Sequence, residues 1–246
     1  MEMRYTWDVT ILPSQLDPDG RLGVANTFDL FMDVATQAAG ALGVGWDLLK
    51  RRGLFWITVK TRIEFLDPPK VLDRVQVVTW PEAPGEKRCN RHYEIRRDGE
   101  VLVRGKTEWA IVSMLTRRPQ PMDKVLPQGL EYPLEQACPE PFPMIDETFD
   151  EPPFAWHRVT ATDIDMARHM NNVAYVRAIQ NAFSVKAWKK LDVRSMDVVF
   201  RASAVEGDEL SFQSRRAGDV MDLRGSLPDG TTNVLARLRL GRRAPR

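Results

Sequence analysis

Residues 163–175 read Asp-Ile-Asp-Met-Ala-Arg-His-Met-Asn-Asn-Val-Ala-Tyr: two carboxylates, one histidine and two asparagines in front of a stretch that turns helical. From Tyr175 the apolar residues Ile179 and Phe183 follow at i+4 and i+8, which predicts a helix from about Asn172 to Trp188. A strand is expected before the loop, from Trp156 to Thr162. Four more are expected after the helix, at SMDVVFRA, ELSFQSRR, VMDLRGSL and TNVLARLRL, where β-branched and other apolar residues recur.

The first half repeats this order. A strand, Tyr5 to Leu12, leads into the loop PSQLDPDGRLGVAN, whose Asp, Pro and Gly residues suit turns. Phe28, Phe31, Met32, Ala35, Ala38, Ala39 and Leu42 then mark one apolar helix face. The segments LFWITVKTRIEF, DRVQVVTWPE, CNRHYEIRR and VLVRGKTEWAIVSML read as strands, separated by DPP, PEAPGE and RRDGE. Laying one loop–helix segment on the other with a one-residue gap pairs Asp17 with Asp163, Asp19 with Asp165 and Phe28 with Tyr175. Identity is low, so the repeat rests on the order of elements. Between the halves, residues 116–153 are rich in proline, which breaks helices and cannot donate to a sheet ladder. Their interspersed Leu, Tyr, Phe and Met suggest a wrapping linker.

A long helix followed by an antiparallel meander must bury its apolar face on the sheet, which makes this an α+β chain. A helix wrapped by a curved antiparallel sheet is the hotdog arrangement, so a double hotdog is expected: residues 1–125 and 151–246 form the two units and residues 126–150 the linker. Another α+β fold with the same element order is the alternative.

The 246 residues suffice for one large or two moderate domains. With 43% hydrophobic and 28% charged residues, wholesale disorder is excluded. The formal net charge of +1 gives no general attraction to nucleic acid, so a charged partner would need a local patch. Two cysteines provide no disulfide framework, and a reducing compartment fits. The opening MEMRYTWDVT lacks the apolar core of a signal peptide, and no apolar run approaches the roughly 20 residues that cross a bilayer. A cytoplasmic protein without a membrane or nucleic-acid partner is expected.

The residue types at 163–175 suit acyl transfer to water. Histidine exchanges protons near neutral pH, and a carboxylate can orient it or activate water itself. Asparagine amides donate to a carbonyl oxygen, and the free amides of a first helical turn favour a developing oxyanion. The same residues also have plain structural uses: Asn171 or Asn172 as a helix cap, Asp163 and Asp165 as turn formers, His169 as a satisfied loop residue.

The pattern D-x-D-x-x-x-H-x-N-N-x-x-Y resembles the second-half loop of the acyl-acyl carrier protein (acyl-ACP) thioesterases, D-x-N-x-H-x-N-N-x-x-Y. LGVGWDLLKRRGLFWITVKTRIEF, VQVVTWPEAP and EWAIVSMLTRRPQPM resemble the first unit of that family, so the likeness covers about residues 5–240. It implies a double hotdog that hydrolyses fatty acyl-ACP, with acyl carrier protein as partner and no cofactor or metal. Asp165 matches the family's loop carboxylate, His169 its histidine, and Asn171 and Asn172 its paired asparagines. Two segments depart. Ala167 stands where the family has Asn. In Phe200-Arg-Ala-Ser-Ala204, Ser203 falls at the position of the catalytic Glu, and Ala204 at that of the plant Cys. Glu206 and Asp208 are weaker replacements for that Glu. The first unit is expected to supply much of the acyl pocket.

Three rivals follow. They are an acyl-CoA thioesterase on the same fold, a catalytically impaired acyl-carrier binder (motivated by Ala167 and Ser203), and a hotdog dehydratase. The fusion can supply internally the pairing that single units gain by dimerising, and a homodimer is also compatible with the sequence. His92 and His157 read as strand side chains, and Cys89 and Cys138 have no activating neighbours. Trp7, Trp46, Trp56, Trp80 and Trp109 suit either a tunnel or a core. The alanines around Gly40 give either room for an acyl chain or close packing. Basic clusters at Lys50–Arg52, Arg117–Arg118, Lys189–Lys190, Arg215–Arg216 and Arg242–Arg243 are candidate docking points for an acidic carrier.

Overall fold

The computed structural model describes residues 3–241, so the Arg242–Arg243 cluster lies outside the described residues. The chain divides into two compact units and passes from one to the other between Glu140 and Pro141.

The first unit contains β1 (Tyr5–Thr10), α1 (Val24–Ala41), α2 (Trp46–Arg51), β2 (Leu54–Phe65), β3 (Arg74–Pro81), β4 (Cys89–Arg97) and β5 (Glu100–Ser113). Its strands pair antiparallel in the order β1-β3-β4-β5-β2. The second contains β6 (Ala155–Arg158), α3 (Asn172–Asn181), α4 (Val185–Leu191), β7 (Val193–Phe200), β8 (Glu209–Ala217), β9 (Val220–Ser226) and β10 (Thr232–Leu240). Its order, β6-β8-β9-β10-β7, is the same permutation. Each is a hotdog unit with a long helix, a short helix and five strands.

The apolar stripe of α1 is the reason for the first arrangement. Phe28, Phe31 and Val34 are fully buried, and the Phe31 ring stacks on Tyr93 of β4 with centroids 4.5 Å apart. Gly105 in β5 makes room for it: a Cβ there would lie 2.5 Å from Phe31 Cε2 and 2.6 Å from the Arg62 carbonyl oxygen. Gly225 in β9 has a related use, since a Cβ would sit 2.9 Å from Phe212 and 2.8 Å from Val234. The small residues at the end of α1 close-pack. A Cβ on Gly45 would stand 3.1 Å from the Gly40 Cα. Trp56 and Trp109 meet edge to face and donate to the Val44 carbonyl and the Tyr93 hydroxyl. They form part of the unit's packing.

The single helix expected from Asn172 to Trp188 is two helices. The Ser184 hydroxyl accepts the Ala187 amide at 3.2 Å and starts α4 afresh, because a side-chain oxygen offers the first turn an acceptor that the helix interior cannot. The segment expected as a 126–150 linker is divided between the units. Up to Glu140 it is fastened to the first, where Trp80 Nε1 donates to the Glu135 carbonyl (2.8 Å) and Gln136 to Glu82 (3.1 Å). From Pro141 it packs with the second, where Ile145 and Phe149 join Val199 and Leu235 in an apolar cluster. Among the described residues no helix is long and apolar enough to cross a bilayer.

Gly105→Ala tests the helix–sheet contact. The Arg62 carbonyl belongs to a paired strand and cannot move aside, so the variant should lose about 2 kcal/mol. Urea unfolding should show this as a lower midpoint at unchanged m-value.

Candidate active site

Hydrogen bonds to one carboxylate fix the entry to the loop. Asp163 Oδ2 accepts from the Thr160 amide (2.8 Å), the Thr160 hydroxyl (3.1 Å) and His157 Nε2 (3.0 Å). Its backbone carbonyl accepts the Asn171 amide (2.8 Å). Inside that closure Ile164 and Met170 form an antiparallel bridge, the Asp165 amide donates to the His169 carbonyl (2.9 Å), and the Arg168 amide donates back to the Asp165 carbonyl (2.9 Å). Residues 165–169 are therefore a tight hairpin that turns on Arg168, whose φ is 63°.

Asp165 and His169 stand opposite each other across this hairpin. Opposed residues of a ladder share a face, with Cβ atoms about 5 Å apart. Both are half-buried. Among the described residues no hydrogen bond joins their side chains, and Asp165 Oδ1 instead accepts the Ala167 amide at 2.8 Å. Asn171 caps α3, its Oδ1 accepting the Val173 amide at 2.8 Å, and Asn172 follows as a half-buried first helical residue.

Ser203 lies on the bend after β7, which packs against this loop. The Met170 amide donates to the Ala204 carbonyl (2.8 Å). The buried Tyr175 hydroxyl accepts the Ala204 amide (2.8 Å) and donates to the Ala202 carbonyl (3.3 Å), to which Asn233 Nδ2 also donates (3.2 Å). Burial pushes the Tyr175 phenol up to about 12, so it stays a neutral hydroxyl. Ser203 itself is exposed. Asp208 is committed to the turn through the Val205 amide (2.8 Å), and Glu206 is exposed.

The first unit carries the same hairpin. Leu16 bridges Leu22, the Asp17 amide donates to the Arg21 carbonyl (2.8 Å), and the Gly23 amide donates to the Gln15 carbonyl (2.9 Å). This corrects the register read from sequence. Asp17 corresponds to Asp165 and Gln15 to Asp163, with no gap, and Thr27 stands where Tyr175 does. Arg21 then occupies the place of His169, Gly23 that of Asn171, and Gly20 (φ 79°) that of Arg168. Arg21 is tied to Asp67 at 2.6 Å and to the Pro68 carbonyl at 3.1 Å, and its guanidinium holds the Asp67 carboxyl below the usual range. One hairpin is a clamp. The other carries titratable groups and amides.

Sequence reasoning missed the pairing of His157 with Asp163. It is visible only when β6 and the loop are folded together, because the two side chains are six positions apart and a strand pattern assigns them no common face. His92 is likewise paired, with Nε2 2.6 Å from Glu82 Oε1 in the first unit, and burial lowers its pKa. Burial pushes both thiols, Cys89 and Cys138, up to about 12, so neither supplies a thiolate. Among the described residues no group of three or more His, Cys, Asp or Glu converges to hold a metal ion.

Two family models match in succession, the acyl-ACP thioesterase N-terminal domain over residues 2–128 and the C-terminal domain over residues 147–233. The chain belongs to the acyl-ACP thioesterase family. A palmitoyl-acyl carrier protein thioesterase of Arabidopsis thaliana is 25% identical over 219 residues, 83% of this chain and 52% of that protein. An oleoyl-acyl carrier protein thioesterase of the same plant is 22% identical over 226 residues, 82% of this chain and 61% of that one. The chain thus spans 52% and 61% of these relatives' length. In fold it is similar to an acyl-ACP thioesterase from Bacteroides thetaiotaomicron, with a TM-score of 0.86 at 20% identity, covering 97% of this chain and 98% of the other. It is also similar to a 12:0-ACP thioesterase from Umbellularia californica, with a TM-score of 0.79 at 17% identity, covering 97% of each chain. The double hotdog of this acyl-ACP thioesterase family member is thereby fixed.

Arg168 adopts a left-handed backbone that costs an L-residue about 1–2 kcal/mol, and the matching position of the first hairpin is glycine. Arg168→Gly should therefore stabilise the protein by about 1 kcal/mol, read as a raised midpoint in thermal or urea unfolding. Acid unfolding tests the loop entry. Burial works to raise the Asp163 carboxyl. The hydrogen bonds from the Thr160 amide, His157 and the Thr160 hydroxyl together outweigh it, so the carboxyl titrates below its ordinary 3.8. A depressed folded-state pKa gives stability that is present above the ordinary value and lost as pH falls through the folded one. Asp163→Asn should be less stable at pH 7 by roughly 1–3 kcal/mol and should lose stability less steeply below pH 4 than the wild type.

Proposed function

We propose that the chain hydrolyses fatty acyl thioesters carried on acyl carrier protein. The observation that carries this reading is the opposition of Asp165 and His169 on one face of the second hairpin, directly before the start of α3, in a member of the acyl-ACP thioesterase family. Water activated by this pair attacks the thioester carbonyl carbon, and its proton passes to the imidazole or the carboxylate. The oxyanion is met by Asn172 and the positive end of α3. Collapse breaks the C–S bond, and the departing thiolate takes the proton to leave free fatty acid and carrier thiol. The Asn171 oxygen is occupied as a helix cap, which leaves only its amide nitrogen to donate toward substrate.

One observation favours a second reading. Asp165 spends an oxygen on the Ala167 amide and has no hydrogen bond to His169, and Ser203 is a weak base where the family has Glu. A protein that binds acyl carriers and turns them over slowly fits these facts. Release of free fatty acid from acyl-ACP by the purified protein separates the two. For the hydrolase, His169→Ala should lower kcat at least tenfold. Tight acyl-ACP binding without turnover would establish the binder instead, and an unchanged rate in the variant would remove His169 from the chemistry.

A further inference from the structure

The Lys189–Lys190 cluster extends to a third cation. Lys186, Lys189 and Lys190 sit at i, i+3 and i+4 of α4, so they share one face. All three are exposed, α4 contains no acidic residue, and none of the three has an ion pair among the described residues. Members of other basic clusters are engaged. Arg215 reaches Asp222 and the Thr148 carbonyl, and Arg216 donates to the Gly218 carbonyl. Lys50 lies over Trp46, Arg52 donates to the Lys124 carbonyl, and Arg117 lies over Phe55.

The face is also backed by apolar surface. Trp188 packs on Phe183 with centroids 5.7 Å apart, and Phe183 on Phe154 at 5.3 Å. Phe154 remains 39% exposed and Val185 61% exposed. The aromatic stack and the Ser184 cap hold a short helix in place, so the lysines are presented on a fixed platform. A chain of net charge +1 has no global field to steer an anion, and a local cationic patch is what would do so.

We infer that the lysine face of α4, with Val185 and Phe154 beside it, docks the acidic carrier protein that bears the acyl group. This rests on the proposed hydrolysis of carrier-bound thioesters and adds where the carrier sits. Charge complementarity selects the occupant. Helix α3 runs ten residues, about 15 Å, and α4 follows it directly, so the lysine helix begins about one helix length from Asn172.

The test compares K186E/K189E/K190E with the wild type on two substrates, a fatty acyl-ACP and the same acyl group on N-acetylcysteamine, which has no carrier. The expected result is a KM for acyl-ACP raised at least tenfold at low salt. The KM for the small thioester should be unchanged, and the difference should shrink in 0.5 M salt, as roughly expected for screened charges. K186Q/K189Q/K190Q, which keeps the helix free of repulsive charge at its C-terminal end, should show the same effect at smaller size. An unchanged KM for acyl-ACP overturns the proposal, as does an equal rise on both substrates. Loss of binding to anionic phospholipid vesicles with acyl-ACP kinetics intact would overturn it in favour of a lipid surface. If the wild type cleaves neither thioester, the hydrolase reading fails on its own. Docking is then read from the Kd for acyl-ACP, which should rise at least tenfold in the lysine variants and would refute the proposal by staying constant.

Discussion

The hydrogen bond from the Met170 amide to the Ala204 carbonyl joins two segments far apart in sequence, and the candidate site depends on it. On one side it seats the hairpin that opposes Asp165 and His169. On the other it fixes the bend that carries Ser203. Tyr175 buttresses the same joint from below, accepting from one backbone group of the bend and donating to another. A buried phenol with both roles filled cannot be exchanged for a phenylalanine without orphaning the Ala204 amide, and a buried unpaired amide is costly.

The first unit shows that this joint is a property of the fold and not of the chemistry. Leu22 donates to the Pro69 carbonyl as Met170 does to Ala204, and the bridge, the turn and the closing amide recur around it. What differs is what the scaffold presents. Arg21 in the first hairpin spends its charge on Asp67. Among the described residues His169 in the second has no such partner, and Asn171 replaces Gly23 so that the helix start gains a capping side chain. A site proposed to polarise a carbonyl oxygen needs donors that are held but unspent.

Much of this was legible in the chain. The strand patterns gave β2, β4 and β10 to the residue, since turn formers flank runs rich in β-branched and other apolar residues. The loop at 163–175 stood out through its residue types alone, which suit acyl transfer to water. The rest needed three dimensions. The register between the repeats went astray because an aspartate-rich match, Asp17 and Asp19 on Asp163 and Asp165, outweighed a backbone equivalence that leaves no trace in side-chain identity. The break at Ser184 was hidden because the apolar series Tyr175, Ile179, Phe183 runs right up to it, and the rings of Phe183 and Trp188 meet over the turn and not along one helix. The pairing of His157 with Asp163 could not be read from a strand pattern that scores only burial.

The left-handed turn of the hairpins carries a last implication. With glycine at that corner in the first unit and arginine in the second, the same turn is relaxed in one hairpin and strained in the other. A residue held in so sparsely populated a conformation persists only where its surroundings over-determine it, and at Arg168 the Ile164–Met170 bridge and the amide–carbonyl bonds on either side of the corner do so.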